Sequence, residues 1–275
     1  MLEKAIYKNH LNETIEMGYG SGIFCNAGDI RDFAYSVTTR NGRISAFSKG
    51  VVRRTLPVII ACADRESGIN ARNRMFEVME KDVLAGIHGR LFIDGYYLRC
   101  FVTGSAKSEY LYNGRHAKVS LTIETDLPEW IRETVFAFGY DGAGSAGKDM
   151  DFNRDFPSDY ASNLLGRSVC NTGFVASEFR MVIYGAAEEP SVTVHGHVYQ
   201  VHASLEGNEH LTIDSVDKTI LLTHADGSQE NLFNLRNRES YIFEKMPPGT
   251  SLVSLEGCRK ADITLLEERS EPRWA

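Results

Sequence analysis

Residues Tyr140–Asp149 read YDGAGSAGKD, and the class of fold turns on what those glycines do. GAGSAG (Gly142–Gly147) has the dinucleotide-binding spacing G-x-G-x-x-G, which belongs at a strand-to-helix turn of a parallel α/β sheet. GAGSAGK is also one residue short of the phosphate-cradling loop G-x-x-x-x-G-K-[ST]. Both motifs need a strand before and a helix after. TVFAFG (Thr134–Gly139) supplies the strand, but DMDFNRDFPSD shows no helical stripe and soon meets Pro157. No acidic residue closes a second parallel strand downstream, as a ribose-binding site requires. Asp149 stands where the phosphate loop needs a hydroxyl for Mg²⁺, and it adds negative charge beside the phosphates. The glycines therefore read as a junction, with no cofactor expected, and the fold is not α/β.

Working outward, the chain reads mostly as strands. KVSLTIET (Lys118–Thr125) alternates, with Val119, Leu121 and Ile123 on one face and Ser120, Thr122 and Glu124 on the other. LFIDGYYLRCFV (Leu91–Val102) is two strand runs joined by Asp94-Gly95, a type I′ hairpin signal. VTTRNGRISAF (Val37–Phe47) repeats it with Asn41-Gly42. Arg40 and Arg43 flank that second tip and few large apolar residues lie near, so it is expected to project as an interaction arm. One segment differs: NARNRMFEVMEKDVLAGIHG (Asn70–Gly89) sets Met75, Phe76, Met79, Val83 and Ile87 at helical spacing. Asn70 is the expected N-cap, Gly86 and Gly89 are terminators, and the stripe is expected to face the core. After the junction FRMVIYG, SVTVHGHVYQVHASL, HLTIDS, KTILLTH, SLVSLEG and ADITLLEE follow as short strands with Asp226-Gly227 and Pro247-Pro248-Gly249 between them. That spacing, without helices, predicts an antiparallel sandwich.

Composition excludes several classes. The 275 residues, 43% hydrophobic and 24% charged, suit one large or two ordinary globular domains. With 30 Lys+Arg against 37 Asp+Glu the net charge is −7. Arg53 with Arg54 and Arg236 with Arg238 are too sparse for a duplex-gripping footprint. MLEKAIYKNHLNETIEMG carries charges throughout, so no secretory leader is expected, and the longest apolar run, Leu56–Ala63, is far too short to span a membrane. Cys25, Cys62, Cys100, Cys170 and Cys258 are scattered with no C-x-x-C, which predicts reduced thiols, with Cys62 and Cys100 filling core.

No catalytic or metal-binding constellation emerges. His195 and His197 could share a strand face, but no third or fourth zinc ligand accompanies them, and His202 has the opposite parity. GYGSG and TGSAK do not match a nucleophile elbow. Glu188 with Glu189, and Asp214 with Asp217, are carboxylate pairs in turn-rich sequence, where solvated loop acids are the plainer reading. Tyr184, Tyr199, Tyr241 and Phe243 could form a sugar-stacking platform or belong to strand cores.

Several segments, taken in order, resemble the distal tail proteins of siphophages and related prophages. They are EEPSVTVHGHVYQV, LTIDSVDKTILLTHADGSQENLFNLRN, YIFEKMPPGTSLVSLEG and ADITLLEERSEPRW. The first half agrees through the Val37–Phe47 hairpin, NRMFEVMEKDV before GRLFIDGYYLRCFV, and KVSLTIETDLPEWIRE. The resemblance covers nearly the whole chain. It implies a mainly β protein with an N-terminal β-sandwich, tail-tube-like domain carrying one packed helix, and a C-terminal galectin- or carbohydrate-module-like β-sandwich. The boundaries it implies are 1–141, a linker at 142–173, and 174–261, with 262–275 returning to complete the first domain. It implies a structural, non-enzymatic virion component: a hexameric ring at the tail tip, assembled in the bacterial host cytoplasm, joining the tail tube to baseplate and receptor-binding proteins. Implied partners are copies of itself, the tube protein, the tape-measure protein and the receptor-binding apparatus, with DNA only as cargo and a host saccharide as an alternative ligand. Arg40, Asn41, Gly42 and Arg43 are the candidate oligomer-interface arm.

Overall fold

The computed structural model describes residues 4–26, 28–111, 114–139 and 168–273. The glycine run Gly142–Gly147, and most of the expected linker 142–173, lie outside the described residues. The chain divides into two compact units, Met1–Ile131 with Arg269–Ala275, and Arg132–Glu268.

The first unit runs β1 (Ala5–Lys8), β2 (Thr14–Met17), β3 (Ile23–Cys25), β4 (Ser36–Arg40), β5 (Arg43–Ser48), β6 (Val52–Ala61), α1 (Arg65–Ala85), β7 (Gly89–Ile93), β8 (Tyr96–Leu111) and β9 (His116–Thr125). β10 (Trp130–Phe138) starts in this unit and continues into the second. Two antiparallel sheets share the long β8. Its first residues pair with β7, which pairs with β1 and so with β2, while Phe101–Leu111 pair with β9, which pairs with β6 and so with β3. A register irregularity at Val102/Gly104 lies just past the point where β8 changes partner, and a second at Lys107/Glu109 lies within its pairing with β9, as bulges do when a strand must bend. Between the sheets lie Leu56, Val58 and Ile60 from β6, Leu121 and Ile123 from β9, and Leu91 and Ile93 from β7. The alternation read in Lys118–Thr125 is observed: Val119, Leu121 and Ile123 are buried. Asp94-Gly95 makes the expected positive-φ turn, at 48° and 77°.

Helix α1 starts earlier than its periodicity suggests. Its N-cap is Asp64, which accepts from Ser67 N at 2.8 Å, and not Asn70, which sits inside the helix. The first turns carry no apolar stripe because Gly68 packs there instead: a Cβ at Gly68 would lie 2.4 Å from the Gly114 carbonyl oxygen. Gly86, at φ 65°, ends the helix as expected. The stripe itself divides. Met75 and Met79 are buried, whereas Phe76, Val83 and Ile87 are exposed. The core-facing row is Met75, Val78, Met79 and Asp82. Asp82 is buried because it accepts from Tyr7 Oη at 2.6 Å and from His10 N at 2.9 Å, with His10 Nδ1 at 2.5 Å. That network ties α1 to the N-terminal hairpin.

The second unit adds β11 (Ser168–Asn171), β12 (Glu178–Tyr184), β13 (Ala187–Glu188), β14 (Ser191–Val194), β15 (His197–Gln200), β16 (Ser204–Leu205), β17 (His210–Asp214), β18 (Thr219–Thr223), β19 (Gln229–Asn231), β20 (Gly249–Glu256) and β21 (Lys260–Arg269). One sheet has the order β19-β18-β17-β12-β21-β10 and the other β11-β20-β14-β15, a two-layer antiparallel sandwich. Phe179, Met181 and Ile183 of β12 and Ile263 and Leu265 of β21 share its core with Val192, Val194, Tyr199 and Val253. β21 pairs with β12 from Lys260 to Leu266. Ser168–Asn171, inside the span read as linker, is thus a strand of this sandwich. The mainly β fold, with a single α-helix among the described residues, is the one expected.

Candidate functional site

The β4–β5 arm is the outstanding surface of the first unit. Every residue of both strands is exposed, including Arg40, Asn41, Gly42 and Arg43 at the tip. Asn41 and Gly42 take φ values of 52° and 73°, the left-handed pair that a type I′ turn requires. Arg40 and Arg43 face each other across the ladder. The ribbon is less polar than its sequence implied. Val37 pairs with Phe47 and Thr39 with Ile44, and the pleat puts these on one face, where Phe47 is 63% exposed.

The base of the arm is fixed. Lys49, with a side chain only 10% exposed, donates to Glu129 Oε1 at 3.1 Å and to Ser270 Oγ at 2.8 Å. Its ammonium also lies 4.9 Å from the Tyr35 ring centre, and Tyr35 Oη meets Ser270 Oγ at 2.9 Å. Ser270 belongs to the segment Arg269–Ala275 that rejoins the first unit. A buried cation with a carboxylate, a hydroxyl and an aromatic face around it is a rigid root. The cavity beside it, bordered by Phe33, Lys49, Arg54 and Trp130, encloses about 20 Å³, room for roughly one water and for no cofactor.

The other candidates disperse. His195 occupies the turn between β14 and β15 at φ 52°, so it does not share a strand face with His197, whose Nε2 meets the Tyr241 carbonyl at 2.9 Å. Of the four aromatics, Tyr199 and Phe243 are core, and Tyr184 donates to Asp262 Oδ2 at 2.8 Å; only Tyr241 is largely exposed. Burial decided this, because Tyr199 packs edge-on against Phe179 and donates to the Glu244 carbonyl at 2.7 Å. Asp214 accepts from Arg180 and from the amides of Val216 and Asp217, which makes it a turn acid. Burial pushes the Cys100 thiol up to about 12 and that of Cys258 to about 11, so both are poor nucleophiles at neutral pH. Among the described residues no three His, Cys, Asp or Glu side chains gather as metal ligands. An open groove of about 450 Å³ in the second unit has a floor of Ala187, Leu205 and Gly257 with Glu188 and Arg259 at the rim. It has no convergent polar set of the kind that orients a ligand.

Sequence reasoning missed the anchoring role of Lys49 and Ser270 and the acid Asp82. Their partners lie 221 and 75 residues away in the chain, so no local spacing could announce them.

No protein-family model and no curated protein sequence matches the chain. Among solved structures it is similar to the Dit protein of phage SPP1, described as a paradigm of the hub adsorption apparatus in phages infecting Gram-positive bacteria. The TM-score there is 0.57 at 8% identity, over 98% of this chain and 100% of that one. It is also similar to a chain of the phage P2 baseplate in its activated conformation with Ca, at TM-score 0.64 and 12% identity over 99% of this chain and 100% of that one. The same baseplate with Sr gives a TM-score of 0.63 at 10% identity, again over 99% and 100%. The likeness is one of fold, and it runs from end to end.

Proposed function

We propose that this protein is a structural hub of a phage tail tip: a ring, six-membered in our reading, joining the tail tube to the baseplate and receptor-binding apparatus. The observation that carries the reading is the end-to-end match to hub and baseplate chains, over 98% and 99% of this chain and 100% of each of theirs. A chance likeness of one sandwich would stop at the unit boundary. The rooted arm supports it: a ribbon held rigidly at its base and open along its length suits contact with a neighbour, not with a small molecule.

In this reading the first unit, Met1–Ile131 completed by Arg269–Ala275, forms the ring, and the second unit, Arg132–Glu268, forms the outward sandwich. The tape-measure and tube proteins meet the ring, DNA passes only as cargo, and no enzymatic step is involved. Native mass spectrometry and negative-stain imaging of the full chain test it. A closed six-fold ring is the expected result. A chain that stays monomeric at every concentration, and whose second sandwich binds a specific glycan on an array, would instead be a carbohydrate-binding protein.

A further inference from the structure

The tripeptide Asn-Gly-Arg occurs twice, at Asn41-Gly42-Arg43 and at Asn113-Gly114-Arg115. An asparagine before glycine is open to attack on its side-chain amide by the next backbone nitrogen, because glycine sets no Cβ beside that nitrogen. The same three letters make the two sites chemically alike, so their surroundings decide how each behaves.

Those surroundings differ. Asn113 itself lies outside the described residues, but Gly114 is pinned. Its carbonyl oxygen accepts from Arg72 Nη1 at 3.0 Å and lies 2.4 Å from where a Cβ on Gly68 of α1 would stand. The Arg115 carbonyl accepts from Cys62 N at 3.1 Å. Around Gly42, nothing lies within 4 Å of the position a Cβ would take. Every residue of β4 and β5 is exposed, as is Asn41, and among the described residues no hydrogen bond holds the Asn41 side chain. At the Asp-Gly reversals the acid is held: Asp94 by Arg31 at 2.6 Å, and Asp226 Oδ1 by Ser228 N and Oγ. Attack requires the tip to leave its turn geometry. A ribbon with nothing packed on it opens at little cost, whereas a glycine packed on a helix opens only when that packing breaks.

We propose that Asn41 is a site of spontaneous deamidation, which rewrites the charge and the backbone of the arm's tip. The Gly42 nitrogen gives its proton to solvent base and attacks Asn41 Cγ. An N–Cγ bond forms, closing a cyclic imide, and the Cγ–Nδ2 bond breaks, with Nδ2 taking a proton from water and leaving as ammonia. A second water then opens the imide. Breaking the N–Cγ bond leaves aspartate at position 41; breaking the bond from the Gly42 nitrogen to the Asn41 backbone carbonyl carbon leaves an isoaspartyl link through Cγ. Either product adds a carboxylate beside Arg40 and Arg43, which face each other across the ladder, and so relieves a like-charge pair. The isoaspartyl product also lengthens the main chain by a methylene, and a two-residue reversal then no longer matches the register of its strands. Nothing in this chemistry depends on the ring reading; it needs only the exposed tip.

The test incubates the full chain, kept dilute, at mildly alkaline pH, with a parallel sample in urea. Mass spectrometry of chymotryptic peptides, with electron-transfer fragmentation, gives the fractions of asparagine, aspartate and isoaspartate at positions 41 and 113. In the folded chain Asn41 should convert at least about tenfold faster than Asn113, which corresponds to a modest difference in opening cost. In urea the two rates should converge. An Asn41 that converts no faster than Asn113 in the folded chain overturns the proposal. A difference that persists unchanged in urea overturns it too, since the local sequence and not the fold would then set the rates.

Discussion

Two hairpins in the first unit carry almost the same turn and meet opposite fates. Asp94-Gly95 joins β7 to β8, and Asn41-Gly42 joins β4 to β5; both pairs take left-handed φ values. Around the first, Leu91, Ile93, Tyr96, Leu98 and Cys100 are buried, whereas around the second every residue is exposed. Arg31, itself only 1% exposed, holds Asp94 Oδ2 at 2.6 Å, while at the Asn41 tip two arginines face each other. Turn chemistry sets register and reversal. What packs on the ribbon afterwards decides whether it becomes core or arm.

The comparison breaks most sharply in the buried hairpin. Leu91→Ala is expected to destabilise by about 2–5 kcal/mol, while Ile44→Ala in the arm should change stability by no more than about 0.5 kcal/mol. Urea midpoints read both, and similar costs at the two sites would mean that the arm is packed in solution. Next comes Asp94→Asn, which makes the turn of the packed hairpin chemically like that of the arm. The turn geometry survives, but Arg31 loses its charged acceptor, and a cost of about 1–3 kcal/mol is expected. An unchanged midpoint would show that Arg31 does not depend on that acceptor. Arg43→Glu belongs to the opposite pole. Thermal unfolding of the chain should hold steady while assembly, followed by sedimentation velocity, falls.

A third turn, Asp226-Gly227, sharpens the series with the smallest effect. Before it, His224 Nδ1 meets Glu209 Oε1 at 2.6 Å. Hydrogen bonding to Glu209 raises the histidine above its ordinary value, and the Glu206 amide together with His224 lowers the carboxyl of Glu209. The histidine contribution is present below the ordinary imidazole value and fades as pH rises through the raised one. The glutamate contribution is present above the ordinary carboxyl value and fades as pH falls through the lowered one. The pair is therefore strongest between the two ordinary values. An NMR titration should place His224 above an ordinary histidine, and Glu209→Gln should bring it back; an unmoved titration contradicts the pairing.

Much of the fold was legible because its signals are local. Alternation in Lys118–Thr125, the two hairpin dipeptides and the closely spaced strands after the junction each lie within a few residues, and each appears in the structure. The helix was legible only where its stripe begins, since Gly68 packs by closeness to Gly114 and offers no apolar letter. The candidate arm was legible as a projection, but its apolar face was not. Val37, Ile44 and Phe47 come together only when the ladder pairs them.

By itself, then, the sequence determined the elements: strands by period two, reversals by residues that tolerate positive φ, and a stripe at period 3.6 for α1. Only the tertiary structure decided which side of each element met other protein. It sent Tyr199 and Phe243 into the core and left Tyr241 outside, turned Phe76 and Val83 outward, and buried Asp82 between Tyr7 and His10. The reason is physical. Backbone geometry is a short-range property, whereas burial depends on partners far apart in the chain, and a carboxylate such as Asp82 is tolerated inside only where distant donors arrive to meet it.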